Sequence, residues 1–337
     1  MGPLVRKILA PPTAPSPPRW RRLLGLAAAS VAALLIAGFS YPGERAQAAQ
    51  TQAAQTQAAQ TQAAQTRATQ TRATQAQAAP AQAEEVVRVA EFLAECPYSH
   101  RATDDPIVFP GLPGASHMHS FFGNTSTNAH SDLTSLERAS SNCSPATDLS
   151  SYWVPTLYNG DTAVEPTGTT FYYLGEGVRD DIIAKIQPMP RGLRIVAGNA
   201  KATGPHDNTI SRWSCLHHGE VGSSPNFVNC PAGSMLESYL DFPQCWNGKD
   251  LDSADHKSHM SYPVAGACPS THPVPVPKLR QVLRYPVNGD PARFRLASGP
   301  GYTMHGDFFN VWPAGEMERR VRDCINPIIK CGADGRP

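Results

Sequence analysis

The chain has few charges and almost no excess of either sign. Of its 337 residues 17% are charged, and 29 Lys and Arg against 28 Asp and Glu give a formal net charge of +1. A protein that binds nucleic acid without regard to sequence needs a clustered basic excess, so the composition argues against a nucleic-acid partner. Only one long apolar run occurs, which excludes a polytopic membrane protein.

Several signatures of catalytic sites are also missing. The sequence contains no G-x-S-x-G elbow, no H-E-x-x-H motif, no P-loop and no dinucleotide fingerprint. It has no C-x-x-C pair either, which argues against the hypothesis that its eight cysteines bind a metal as thiolates. In an exported chain, an even cysteine count is typical of a set of disulfides, and this leaves little room for a thiol nucleophile.

Residues 1–48 have the parts of a secretory signal peptide. A basic segment without acidic residues precedes the uncharged run Leu23–Phe39, and Ala46-Gln47-Ala48 fits a signal peptidase site. We therefore expect cleavage near Ala49 and a secreted, extracellular protein that can stay associated with the cell surface. Because the apolar run is slightly long, an uncleaved anchor is the alternative, and the leader would then be the only contact with a membrane. The Arg21-Arg22 pair also permits twin-arginine export.

Residues 49–84 form a low-complexity linker built on the five-residue unit TQAAQ. A period of five matches neither a helix nor a strand, so it builds no continuous apolar stripe. We expect this linker to be disordered, because it has little to bury. It would act as a spacer between the folded domain and a membrane or wall, and a repeat expansion without a specific role is the alternative.

Residues 85–337 carry all eight cysteines and all eleven histidines and are predicted to fold as one disulfide-stapled domain. Loop-closure entropy and spacing favour pairing between near neighbours. The predicted bridges are Cys215–Cys230, Cys245–Cys268, Cys324–Cys331 and, by elimination, Cys96–Cys143.

This domain is predicted to be dominated by β-structure. Short segments rich in β-branched and aromatic residues are expected to form strands at 151–158, 169–174, 193–197, 281–285 and 302–309. Short helices are expected only at 180–187 and 316–324. The many short strands favour a β-sandwich-like single domain with long Pro-rich loops and disulfides. The Pro-rich segment 272–278 cannot lie in a central strand and is expected at a sheet edge or in an ordered loop.

Three segments concentrate histidine and aspartate. His117 and His119 would share one face of an extended chain, and so would His305 and Asp307. The third segment, 246–259, is dense in aspartate and contains His259. These five residues are the candidate catalytic set, expected to converge on one cleft as general acids and bases.

A divalent metal is a second use for the same residues. Imidazole and carboxylate ligands together suit Zn, Fe, Mn or Cu, and the candidate ligands are His117, His119, His305 and Asp307. A single H-x-H pair is common by chance, where it is simply a hydrogen-bonded histidine in a strand. The choice between metal chemistry and acid–base chemistry therefore stays open.

The histidine segments resemble the motifs of the DUF1996 family. The resemblance is carried by segments 105–124, 152–155, 245–252, 255–263 and 305–308, and it extends over about residues 104–324. This family occurs in secreted proteins of actinobacteria and fungi, and some fungal members carry modules associated with carbohydrate contact. The resemblance implies a fold unit and a surface location, and it implies no reaction.

The favoured function is therefore a secreted enzyme that acts on an extracellular or cell-wall polysaccharide, as a hydrolase or a lyase. Candidate substrate-binding residues are Trp246, Lys249, Asp252 and Tyr302, whose rings and charges could line a groove. The alternative is a non-catalytic carbohydrate-binding or wall-binding module, in which the histidines form a structural cluster or metal site. An open groove above the histidines would favour the enzyme, and a sealed cluster would favour the structural role.

Overall fold

The computed structural model of the protein describes residues 60–62 and 89–337. The predicted signal peptide lies outside these residues. So does the predicted linker, except for residues 60–62, whose backbone is helical. Within the described part of the chain, no helix is both long enough and apolar enough to span a membrane.

Two five-stranded antiparallel sheets contain most of the strands. Sheet I consists, in spatial order, of β1 (Glu91–Ala94), β7 (Gly168–Leu174), β14 (Lys278–Tyr285), β10 (Leu236–Asp241) and β9 (Ser211–Cys215). Sheet II consists of β2 (Tyr98–Ala102), β3 (His119–Gly123), β4 (Ser151–Pro155), β16 (His305–Phe309) and β8 (Arg194–Gly198).

Two three-stranded sheets and a few short helices complete the described fold. The smaller sheets are β12 (Met260–Ser261), β11 (Cys245–Trp246) and β13 (Val274–Pro275), and β15 (Phe294–Leu296), β5 (Leu157–Asn159) and β6 (Thr162–Val164). The helices are α1 (Leu133–Glu137), α2 (Asp180–Ile183) and α3 (Ala314–Arg320), which continues as a π-turn over Val321–Ile325. Single 3-10 turns lie at Pro205–Asp207, Gly219–Val221, Pro291–Arg293 and Gly301–Thr303.

The aromatic core lies between sheets I and II. Tyr152 of β4 stacks on Phe171 of β7 with ring centroids 3.9 Å apart, and Phe308 of β16 stacks on Tyr152 at 5.1 Å. Large aromatic side chains contribute most of the apolar area that such a core removes from water. The two sheets therefore pack face to face as a sandwich, which confirms the predicted fold class.

A buried polar network links the two sheets within this core. The Tyr152 hydroxyl donates to the Asp148 carboxylate (2.6 Å) and lies 2.7 Å from the Tyr173 hydroxyl. The Trp312 indole N–H donates to Tyr173 Oη at 3.0 Å. Burial raises the pKa of Asp148 to about 6, because its charged form has lost water.

All four predicted disulfides are present: Cys96–Cys143, Cys215–Cys230, Cys245–Cys268 and Cys324–Cys331. The described residues contain no free cysteine. The Pro-rich segment also behaves as expected, because its strand β13 lies at the edge of a three-stranded sheet.

Some predicted elements are shorter than their sequence patterns. The strand expected at 151–158 is divided into β4 and β5 at Thr156. The strand expected at 302–309 begins at His305, because the preceding residues form a 3-10 turn. Helix α2 ends four residues early, since the chain then runs toward β13 and Gln187 N–H donates to the carbonyl of Pro275 at 2.8 Å.

Candidate functional site

The outer face of sheet II presents the polar residues of β3 and β16. Side chains alternate along a strand, so His119 points away from the core that Phe122 fills. In β16, His305 and Asp307 likewise point outward, whereas Phe308 points into the core. The fold therefore brings to one surface two segments that are far apart in sequence: His117 and His305 are separated by 188 positions.

A glycine allows the neighbouring strand to approach His305 closely. Gly198 of β8 is paired with His305 and has a φ of +82°. A Cβ at this position would lie 2.4 Å from the carbonyl oxygen of Met304 and 2.7 Å from Cα of His305. Any other residue would have to move the His305 backbone or strain its own.

Three imidazoles form a cluster at this surface. The ring centroid of His117 lies 4.4 Å from that of His119 and 4.9 Å from that of His305, and the His119 and His305 centroids are 5.7 Å apart. One nitrogen from each ring lies within 4.8 Å of the other two. His119 and His305 are buried, and His117 is partly exposed.

Two of the rings are oriented by backbone carbonyls. Nδ1 of His119 donates to the carbonyl of Asp104 (3.0 Å), and Nδ1 of His305 donates to that of Thr303 (2.9 Å). In a neutral ring this leaves Nε2 as the atom with the free electron pair. His117 Nε2 lies 3.1 Å from His305 Nε2 and is therefore the donor between them.

Two carboxylates lie beside the imidazole cluster. One oxygen of Asp105 and one of Asp307 are within 4.8 Å of each other and of a His119 nitrogen. Asp105 is held by the N–H groups of Ile107 (3.0 Å) and Val108 (2.9 Å). Both Asp307 oxygens and Nε2 of His119 are buried and have no hydrogen-bond partner among the described residues.

Burial sets the charge states of these groups. It lowers the pKa of His305 to about 3, and it lowers the pKa of His119 and, to a smaller extent, that of His117. Burial, and then repulsion from Asp105, raise the pKa of Asp307 well above its usual range. Each shift disfavours the charged form of a group that has lost water.

An open cleft of about 550 Å³ lies above this cluster. Its floor includes His117, His305, Asp105 and Asp307. Phe109, which is 36% exposed, lies on its wall, so the cleft opens to solvent. The cluster is therefore reachable by a ligand of the size that such clefts usually hold.

His256 and Lys257, which are adjacent in the sequence, form another wall of the cleft. His256 has a left-handed φ of +59°, and its Nδ1 lies 3.1 Å from both oxygens of Asp252. The Lys257 ammonium donates to the carbonyl of Gly198 at 2.6 Å. Asp252, a candidate for substrate binding, thus positions His256 and does not itself line the cleft.

His259 is the one candidate catalytic residue that the structure does not bring to the cluster. Its Nδ1 lies 2.9 Å from the Ser253 hydroxyl, and its Nε2 donates to the carbonyl of Arg194 at 2.6 Å. Both ring nitrogens therefore have protein partners in a buried position. We assign it a structural role in holding the 246–259 loop against β8.

The other candidate substrate-binding residues also lie away from the cleft lining. The Trp246 indole donates to the carbonyl of Asp250 at 2.7 Å and packs against the core. Lys249 is 83% exposed and its ammonium lies 3.9 Å from Asp250. Tyr302 lies in the 3-10 turn before β16 and accepts a hydrogen bond through its backbone carbonyl from Asn208.

Sequence reasoning missed the roles of Asp105 and Lys257. Asp105 follows Asp104 in the sequence, and of the two only Asp105 lines the cleft. Lys257 follows His256, and the spacing rule that pairs histidines on a strand does not select it. Both residues lie within the segments that carry the family resemblance, so that resemblance was the signal available for finding them.

Residues 105–312 match the family model described as a domain of unknown function, DUF1996. The match covers more than half of the chain, which therefore belongs to this family, as its motifs predicted. No curated protein and no solved structure matches the chain. Because the family description names no reaction, the function has to be inferred from the site.

Proposed function

We propose that this protein is a secreted enzyme that cleaves an extracellular or cell-wall glycan at the cleft above His117, His305 and Asp307. The observation that carries the proposal is the position of these side chains at the floor of an open cleft. Ionisable groups that are desolvated yet reachable by a ligand are typical of catalytic sites. A purely structural cluster has no need of such an opening.

A polymeric substrate is supported by two depressions beside the cleft. The cleft shares Gly198, Asn199 and Lys257 with a second depression of about 310 Å³. That depression shares Thr209 and Tyr262 with a third one of about 260 Å³. The three adjoining depressions, together called the groove, suit a chain of several units better than a single small molecule.

The lining of the groove suits a hydroxyl-rich chain. Polar side chains are supplied along it by Asn199, Asp207 and Thr209. Tyr262, 37% exposed at the junction of the second and third depressions, offers a ring on which a sugar can pack. An aromatic face beside hydrogen-bonding groups is the combination that a sugar ring requires.

Extracellular action is supported by the four disulfides together with the leader. Disulfides form and persist in oxidising compartments, which include the outside of the cell. The basic segment, apolar run and A-x-A site of residues 1–48 fit export to such a compartment.

In this proposal His117 and His305 contact the substrate, because both line the cleft. An imidazole nitrogen there can take a proton from water in hydrolysis or from a sugar carbon in elimination. Asp307 faces the same space and can exchange a proton with the leaving oxygen. His119, buried beneath them, positions the other two rings.

One observation favours a second function, a glycan-binding module without catalysis. His119 is fully buried, and both His119 and His305 are fixed by backbone carbonyls, as in a structural cluster. The same groove would then hold a polysaccharide without cleaving it.

The test is to incubate the purified protein with a panel of extracellular and wall polysaccharides and to measure new chain ends. The wild type should release soluble products from at least one polymer. His305→Gln should reduce the rate by at least ~100-fold, the effect of losing a general acid or base. Retention on a polysaccharide without product from any polymer would contradict the enzyme proposal and support the binding module.

A further inference from the structure

The imidazole rings of the cluster are oriented as the ligands of a metal ion usually are. The rings of His119 and His305 each use Nδ1 to donate to a backbone carbonyl. This hydrogen bond is the usual outer support of a metal-bound histidine, since it fixes the ring and leaves Nε2 free to coordinate. Nε2 of His119 has no hydrogen-bond partner among the described residues, although the ring is completely buried.

Two buried carboxyl groups adjoin the same space. Both oxygens of Asp307 are buried without a hydrogen-bond partner within the described chain. Asp105 lies beside Asp307, and neither forms a direct ion pair among the described residues, although Lys257 lines the same cleft. Burial disfavours the charged form of each carboxyl group, and a divalent ion would stabilise both as carboxylates.

The spacing of the imidazole nitrogens fits a single ion. His117 Nε2 and His305 Nε2 are 3.1 Å apart. Two nitrogens bound to one tetrahedral Zn²⁺ at ~2.0–2.1 Å lie ~3.3 Å from each other. His119 belongs to both the histidine triad and the Asp105–Asp307 group, but it has only one free nitrogen. The two groups therefore adjoin each other at His119, and the three imidazoles are the set whose nitrogens all approach one another.

We infer that the imidazoles of His117, His119 and His305 bind one divalent transition-metal ion at the floor of the cleft, with Asp307 beside it. Imidazole and carboxylate donors suit Zn²⁺ and its neighbours in the first row. Asp105 would stay outside the coordination sphere and neutralise the remaining charge. Because His117 lies at the cleft, the ion would face the solvent side and could take a water or substrate oxygen as a further ligand. In the metal-bound protein the imidazoles would be ligands, so the proton acceptor of the proposed function would be that water in place of an imidazole nitrogen.

The tautomer of His117 would change on binding. Its Nε2 now carries the proton that it shares with His305. Coordination needs that nitrogen bare, so the proton would move to Nδ1 or leave to solvent. His119 and His305 need no such change, since their protons already lie on Nδ1.

The direct test is calorimetric titration of the chelator-treated full chain with Zn²⁺. We expect one equivalent per chain. His119→Gln and His305→Gln should weaken binding by more than the ~10–100-fold that losing an outer hydrogen-bond partner of a ligand costs. A visible absorption spectrum with Co²⁺ should show the same losses and reports the ligand geometry independently.

Two further variants keep the test decisive. His117→Gln changes a partly exposed residue and should weaken Zn²⁺ binding even if a buried variant fails to fold, as checked by circular dichroism. His218→Ala is the matched control, because His217 is exposed and the adjacent His218 is half-buried, so that these two histidines could bind Zn²⁺ adventitiously. This control should bind Zn²⁺ as the wild type does.

Two results would overturn the inference. One is the absence of stoichiometric binding in the folded wild-type chain. The other is binding that survives unweakened in the three cluster variants, whether or not His218→Ala loses it. The measurement uses no glycan, so it is separate from the proposed function: a chain that binds Zn²⁺ but releases no product would refute the enzyme and leave the metal site standing.

Discussion

Sheets I and II have the same number of strands and the same alternation of side chains, but they differ in how the ionisable groups on their outer faces are paired. On sheet I, the Arg280 guanidinium donates to Asp241 (2.9 Å) and to Glu176 (3.0 Å). Arg284 donates to Glu237 at 2.9 Å. On sheet II, Asp307 is more deeply buried than these groups and has no such partner among the described residues.

This difference distinguishes a surface whose charged groups pair with each other from one whose polar groups are left available to a ligand. A buried charge costs several kcal/mol unless it is paired, so sheet I pairs its charges within the chain. A carboxyl group and an imidazole that are buried without partners lower the stability of the fold. Such departures from the rules of stability are expected at functional sites. This contrast supports the proposal that the outer face of sheet II carries the functional site.

The largest effect on stability should come from breaking a pair on sheet I. Glu237→Ala removes the partner of the Arg284 guanidinium, and the Glu237 side chain is only 6% exposed. We expect the free energy of unfolding to fall by about 4 kcal/mol, the usual cost of leaving one partner of a buried pair uncompensated. Urea denaturation measures this change.

Glu165→Ala is the matched control for that variant. Glu165 pairs with Arg101 at 3.4 Å but is 51% exposed. Solvent screening should limit its effect to less than about 1 kcal/mol. Equal losses in the two variants would show that burial does not determine the value of pairs in this protein.

The next effect concerns Asp148, which lies between the two sheets and belongs to neither outer face. Its folded pKa of about 6 is above its usual value, so the folded state binds its proton more tightly than the unfolded state does. Stability from this group is fully present below pH ~4 and is lost as the pH rises through 6, by no more than about 3 kcal/mol. Unfolding measured from pH 4 to 7 tests this.

Asp148→Asn should remove that part of the pH dependence. The amide oxygen can still accept from the N–H of Ser150, a contact of 3.0 Å in the wild type. If the variant loses stability between pH 4 and 6 as steeply as the wild type, another group carries the dependence.

A smaller effect should separate His259 from the cluster. His259→Ala leaves the carbonyl of Arg194 without its buried donor, and we expect a loss of about 2 kcal/mol in unfolding free energy. Glycan cleavage should continue in the folded protein, because His259 does not line the cleft. Loss of activity at unchanged stability would return His259 to the catalytic set.

Much of the fold could be predicted because it depends on local patterns. Alternating aromatic and β-branched segments indicated the central strands, near-neighbour spacing indicated three disulfides, and elimination then left the fourth, Cys96–Cys143. The ends of the elements were less predictable. Helix α2 stops at Ile183 because Gln187 bonds to Pro275, a contact 88 positions along the chain that no local pattern contains.

The site was predictable only where it lies on strands. The i and i+2 rule correctly placed His117 with His119 and His305 with Asp307, since these segments are extended. It could not place His259, because the 246–259 loop contains turns and a left-handed residue, His256. Asp105 and Lys257 lie in loops. No simple period in the sequence predicts which side chains of a loop face the cleft.

The most direct test of the contrast between the two faces is Asp307→Asn in chelator-treated protein. Because the Asp307 carboxyl has no partner within the described chain, the free energy of unfolding should stay within about 1 kcal/mol of the wild type or rise. Glycan cleavage by the same preparation, after Zn²⁺ is returned, should be lost. A fall in unfolding free energy as large as that of Glu237→Ala, with cleavage retained, would contradict the account, since Asp307 would then serve the fold and not the site.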